Sequence, residues 1–176
     1  GEKIEKSTTT GVKAVINDQF IDGQPVDNYL NSSDIDDIVL DYYYGKIQIE
    51  ENEQTGDLLN TLIEKEGDLV PLYFRCFMNI CRENGQELEN YLGNYCIKLL
   101  KEQTYYCVKK LRQGSPDYFT GLVANEIYQN PNWEEEINNL SIELHTNLEN
   151  EAPEFRKELD LFIVGLKNDI EHLSSL

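Results

Sequence analysis

Apolar residues recur at steps of three and four along most of the chain, which is the spacing of one face of an α-helix. The segments with this spacing, each bounded by a turn or cap residue, are 57–66, 69–83, 87–112, 115–128, 130–148 and 153–173. The connections between them are short, so neighbouring helices are expected to run antiparallel. We predict a mostly α fold, an up-down bundle of about six helices. No signature recurs at the periods of about 34 or 40 residues typical of helical repeats, so a short α-solenoid of helix pairs is the alternative.

The region before residue 57 predicts a different kind of structure. Residues 1–11 are polar and rich in small side chains, as in a flexible leader. A short β-branched run over 12–16 precedes turn residues at Asp22, Gly23 and Pro25, so we expect a short extended or hairpin arm. The segment KIQIE over 46–50 fits a short strand or a linker. We therefore expect one helical domain over 12–176, with the arm and a first helix over 12–50 and the bundle over 57–175.

That first helix comes from the stretch DIDDIVLDYYYG, residues 34–45. Its apolar positions lie on one helical face, and Ser32 or Ser33 is expected to provide the N-cap. Aspartates in a first turn suit the helix dipole, and Gly45 suits the left-handed position after the last turn. An EF-hand loop starting at Asp34 would need glycine at its sixth position and glutamate at its twelfth, and the chain has Val39 and Gly45 there. The spacing therefore argues against a calcium loop.

Three later helices carry individual features. The segment 69–83 is apolar almost all round, which predicts a buried helix. The segment 87–112 contains Gly93, a candidate close-packing point, and is followed by Gly114 as a C-terminal stop. The next helix is expected to begin with Ser115 as N-cap and Pro116 in the first helical position.

The charge is strongly acidic, with 33 acidic and 15 basic residues and a formal net charge of −18. Such a field repels phosphate backbones and anionic lipid, so we expect no direct binding to nucleic acid or to a membrane surface. It is compatible with a basic protein partner. A solvated acidic surface that serves solubility alone is the competing interpretation.

The start of the sequence bears on location. The first residue is Gly1 and the only methionine is Met78, so we expect either a removed signal segment or a cleaved tag. No run approaches the roughly 18 apolar residues of a transmembrane helix. The polar leader favours export to the periplasm or cell envelope over the cytoplasm.

The cysteines admit two interpretations. Their spacing matches no common zinc pattern, and no CxxC pair occurs. They are either free thiols in helix cores or, in an oxidising compartment, members of disulfides. The four are Cys76, Cys81, Cys96 and Cys107.

No motif indicates catalysis, so we predict no catalytic residue, metal site or cofactor. Phosphate-binding glycine loops and the GxSxG nucleophile motif do not occur. The two histidines are His145 and His172. Asp169 and His172 have the spacing of a helical carboxylate–histidine metal motif, but no second copy accompanies His145.

Two clusters of aromatic and acidic residues are the candidate partner-binding positions. Among the tyrosines of residues 42–44 only two can face one core, which leaves Tyr44 for a partner. Trp133 precedes three glutamates, and such a combination can anchor a basic partner or simply cap and staple a helix. Those glutamates are Glu134, Glu135 and Glu136.

These observations favour a non-catalytic protein-binding domain that docks or neutralises a basic partner. One alternative is an exported envelope protein with a structural or small-ligand-holding role. The other is a hydrolytic enzyme, which requires a pocket holding two carboxylates or a Cys–His contact.

Overall fold

Nine α-helices and one small hairpin make up the residues that the computed structural model describes, 13–112 and 117–176. The fold is an all-α helical bundle, as predicted. The leader over 1–11, Gly114, Ser115 and Pro116 lie outside the described residues, so the interpretations placed on them stay predictions.

The described elements fall in two compact units, and the boundary follows Asn79. The elements that begin before it are β1 Phe20–Ile21, β2 Gln24–Pro25, α1 Val26–Leu30, α2 Asp37–Tyr43, α3 Glu53–Glu64, a 3₁₀ turn Gly67–Leu69, and α4 Val70–Asn84. The later elements are α5 Glu89–Glu102, α6 Thr104–Arg112, α7 Asp117–Tyr128, α8 Trp133–Glu151, a 3₁₀ turn Pro153–Phe155, and α9 Arg156–Ser174.

The hairpin of the first unit confirms the predicted arm. Strands β1 and β2 pair antiparallel, with Ile21 opposite Gln24. Asp22 and Gly23 form the turn, with φ values of 51° and 79°. Two central residues with positive φ match the right-handed twist of the flanking strands, which is why Asp-Gly is favoured there. The segment 46–50 forms no strand and serves as a linker.

Helix α2 begins later than the sequence suggested. Its N-cap is Asp36, so the expectation of Ser32 or Ser33 as N-cap is wrong. The Ser32 hydroxyl instead accepts a hydrogen bond from the backbone N–H of Asp34 at 3.1 Å, a local turn that competes with helix formation. The C-terminal prediction is confirmed: Gly45 follows the helix with φ 76°.

The single helix predicted over 87–112 is two helices, because the helix is interrupted at Gln103. The buried hydroxyl of Thr104 donates to the carbonyl of Leu100 at 2.6 Å. The carbonyl of Lys101 accepts from the side-chain amide of Asn147 on α8 at 3.0 Å. These side chains satisfy carbonyls near the break, so the interruption leaves them hydrogen-bonded.

Helix α7 packs against both α5 and α9 in the second unit, and α8 contacts α5, α6, α7 and α9. In a solenoid each repeat contacts only its neighbours, so this arrangement is a bundle. Gly93 lies where α5 meets α7. A Cβ atom built on it lies 2.8 Å from Glu126 Cβ and 2.9 Å from the carbonyl oxygen of Leu122, which confirms the predicted close-packing point.

Candidate functional site

The first turn of α8 holds four of the predicted partner-binding residues side by side. The helix begins at Trp133 with Asn132 as N-cap, and its first-turn acidic residues are Glu134, Glu135 and Glu136. The three glutamates are exposed and Trp133 is half-buried. The positive end of the helix dipole favours carboxylates in this turn. Here an aromatic ring that is partly accessible lies beside three charges of one sign.

A polar cavity of about 350 Å³ lies beside this turn, lined by residues of α5 and α7 and by Glu136. Glu126 of α7 is a second carboxylate in its lining, and burial raises the pKa of Glu126. Lys101 also lines the cavity, but its ammonium forms an ion pair with Glu143 at 3.5 Å. The cavity therefore offers a cationic group two carboxylates, one of them partly desolvated. Sequence reasoning missed Glu126, although it is the only charged residue in the apolar run FTGLVANEIY, residues 119–128.

Tyr44 lies in the first unit, at the C-cap of α2. Tyr42 and Tyr43 are buried while Tyr44 is half-buried, so the prediction that two of the three face one core is confirmed. The Tyr44 ring meets Tyr43 edge-on, with 5.1 Å between centroids. Tyr44 and the first turn of α8 belong to different units.

The aspartates of residues 34–37 include a structural contact that the sequence did not reveal. The Tyr73 hydroxyl donates to Asp36 Oδ2 at 2.7 Å and accepts from the backbone N–H of Asp36 at 2.8 Å. Lys65 Nζ lies 3.1 Å from the same carboxylate oxygen. The hydrogen bond from Tyr73 holds the pKa of Asp36 below its ordinary value. This carboxylate anchors the start of α2 to α3 and α4 within the first unit.

Metal binding finds no support in the part of the chain that the structure describes. No group of three or more His, Cys, Asp or Glu side chains there is placed to hold an ion. The histidine on α8 has a different role: His145 Nε2 lies 2.6 Å from Asp160 Oδ1 on α9, and its Nδ1 lies 2.7 Å from the Ser141 carbonyl oxygen. His145 thus links two helices.

All four cysteines are free and buried, which agrees with the core interpretation. The Sγ atoms of Cys81 and Cys96 lie 3.6 Å apart, well beyond the roughly 2.05 Å of a disulfide bond. Burial raises the pKa of Cys76 to about 12, although Arg75 opposes the shift. Burial also raises the pKa values of Cys96 and Cys107. Thiols held protonated in this way are poor nucleophiles.

This burial predicts how the thiols react. In the folded protein at pH 7.5 we expect an alkylating reagent to modify none of the four cysteines within minutes, because each side chain is buried. In denaturant without reductant we expect four adducts per chain by intact mass. Fewer than four would mean that a disulfide exists, and rapid labelling of the folded protein would contradict the enclosed positions.

None of the helices in the described ranges is both long and apolar enough to cross a membrane. Comparison of the chain with protein family models, curated proteins and solved structures finds no match.

Proposed function

We propose that this protein is a non-catalytic protein-binding domain that docks a basic partner through the first turn of α8. The observation that carries the proposal is the set of three exposed glutamates beside the half-buried ring of Trp133. Tryptophan is enriched among the residues that anchor protein partners, and charges around such an anchor steer the partner and select for its charge. The net charge of −18 would also speed the encounter with a basic surface.

The neighbouring cavity supports the same chemistry. Glu126 and Glu136 both line it, and their carboxylates accept hydrogen bonds from guanidinium or ammonium groups. A cationic side chain of the partner would favour the ionised form of Glu126, whose pKa burial raises. We propose that exposed glutamates steer the partner and that the cavity receives one of its basic side chains.

The proposal is tested by neutralising the three glutamates together, in the variant E134Q/E135Q/E136Q. Binding of a fluorescent arginine-rich peptide is measured at low and high salt. We expect the variant to bind about tenfold more weakly at low salt, because three exposed pairs at roughly 0.5 kcal/mol each sum to about 1.5 kcal/mol, and about 1.4 kcal/mol corresponds to a factor of ten. Salt should reduce the difference.

The matched control is E149Q/E151Q/E154Q, which removes the same charge from exposed positions elsewhere in the second unit. We expect this control to bind nearly as well as the wild-type protein. Equal weakening by both triple variants would show that only net charge matters, and would contradict docking at α8. No binding by the wild-type protein would remove the proposed function itself.

A further inference from the structure

A second cleft, of about 460 Å³, lies elsewhere in the second unit and shares no residue with the cavity beside Glu136. Its lining comes from the end of α4, the connection to α5 and the first residue of that helix, from α7, and from the end of α9. Helix α7 packs against both α5 and α9, so three of the lining segments belong to helices that are in contact with one another. The volume falls within the roughly 300–1,000 Å³ usual for small-molecule sites.

Part of the lining of this cleft is apolar, and a glycine in it leaves open space. Leu122 and Cys81 are buried lining residues. Gly121, also on α7, lines the cleft, and a Cβ built on it meets no atom within 4 Å. The space above Gly121 can therefore take an apolar group of a ligand.

The walls carry charges of both signs. Arg82 comes from α4, and Asp169 and His172 come from the last turns of α9. The guanidinium of Arg82 lies 3.3 Å from Glu83, and both side chains are about half exposed. Glu89, at the start of α5, adds a second carboxylate to the lining.

This charge pattern selects among ligand classes. A simple anion would meet Arg82 but would have to approach a chain with a net charge of −18. A simple cation would meet Asp169 and Glu89 but would leave Arg82 facing a positive charge. A zwitterion has no net charge, so the negative potential of the chain does not repel it. Its carboxylate can pair with the guanidinium of the cleft and its ammonium with a carboxylate of the cleft.

We propose that the cleft binds a small zwitterion with an apolar side chain, the chemical class of an apolar α-amino acid. The ligand carboxylate contacts Arg82, its ammonium contacts Asp169, and its side chain lies over Gly121 and Leu122. Tyr118 is a further lining residue on α7. The site stands apart from docking at α8, and neither proposal depends on the other.

The test is isothermal titration calorimetry of the full chain with L-phenylalanine and L-leucine, each set against the analogue that lacks one charge. The analogues are phenethylamine and 3-phenylpropanoate for phenylalanine, and isoamylamine and 4-methylpentanoate for leucine. We expect saturable binding of at least one amino acid and at least tenfold weaker binding of its two analogues. R82Q and D169N should each weaken binding at least tenfold.

Two glycine variants test whether the ligand binds in this cleft. Gly121→Leu fills the cleft from a position with open space and should abolish binding. Gly165→Leu, in α9, is the matched control, because its Cβ also meets no atom within 4 Å and it does not line the cleft. It should bind like the wild-type protein, and thermal melting checks that both variants fold. The proposal is overturned if neither amino acid binds, if an analogue binds as well as its amino acid, or if Gly121→Leu retains binding.

Discussion

A Gly93→Ala variant is expected to lose about 2 kcal/mol of unfolding free energy relative to the wild-type protein, as overpacked positions typically do. The added methyl group would lie 2.9 Å from the carbonyl oxygen of Leu122 and 2.8 Å from Glu126 Cβ. The carbonyl belongs to the backbone of α7 and cannot rotate away. Helices α5 and α7 must therefore separate, which loosens their shared core. The better helix propensity of alanine, about 1 kcal/mol, offsets only part of this cost.

The control for this prediction is Gly165→Ala, in the interior of α9. Its Cβ meets no atom within 4 Å, so only the helix propensity changes, and we expect a gain of about 0.5–1 kcal/mol. Chemical denaturation of the two variants should thus give changes of opposite sign. If Gly93→Ala were as stable as Gly165→Ala, this result would contradict the close approach of α5 to α7 at Gly93.

A Tyr73→Phe variant is expected to lose about 2 kcal/mol at neutral pH. The buried Tyr73 hydroxyl donates to the Asp36 carboxylate and accepts from the Asp36 backbone, and removing it leaves both groups without that partner. Hydrogen bonds to charged groups contribute roughly 1.5–3 kcal/mol. The Asp36 side chain is 43% exposed, so water recovers part of this loss.

The same variant should change how stability responds to acid. The pKa of Asp36 is lowered in the folded protein, so its contribution is present above the ordinary aspartate value near 4 and is lost as the pH falls through the lower folded value. Tyr73→Phe removes the main cause of the shift. We therefore expect the wild-type and variant melting curves to differ more at pH 7 than at pH 2.

Tyr29→Phe serves as the comparison for that pH dependence. The Tyr29 hydroxyl donates to the backbone carbonyl of Ile21 at 2.8 Å, and this acceptor does not titrate. Its loss should lower stability by about 1 kcal/mol and by a similar amount at both pH values. A difference between wild type and Tyr73→Phe that did not change with pH would contradict the role of the Asp36 carboxylate.

Local signals in the sequence predicted the elements whose causes are local. Asp22 and Gly23 predicted the hairpin turn, and Gly45 predicted the end of α2, because each of these depends on backbone conformation within a few residues. The late start of α2 and the break at Gln103 were missed. The first involves a tyrosine 37 residues away and the second an amide 46 residues away, and no local pattern contains such contacts.

In the candidate sites, too, some residues could be predicted from the local sequence and others are brought in only by the packing of the helices. The position of Trp133 and its glutamates could be predicted, since a helix start favours acids in its first turn. The carboxylate that accompanies them, Glu126, comes from another helix and became visible only through packing. Asp169 and His172 stood out by their spacing on one helix, whereas their companion Arg82 is brought to the same cleft by the bundle.

The break between α5 and α6 combines a local contact with one that forms only after more of the chain has been made. The Thr104 hydroxyl lies within the segment and donates to the carbonyls of Leu100 and Lys101. The Asn147 amide, which donates to the same Lys101 carbonyl, leaves the ribosome after α5 and α6 have emerged. A chain truncated before residue 133 should therefore keep the hydrogen bonds from Thr104 and lack the one that ties the break to α8.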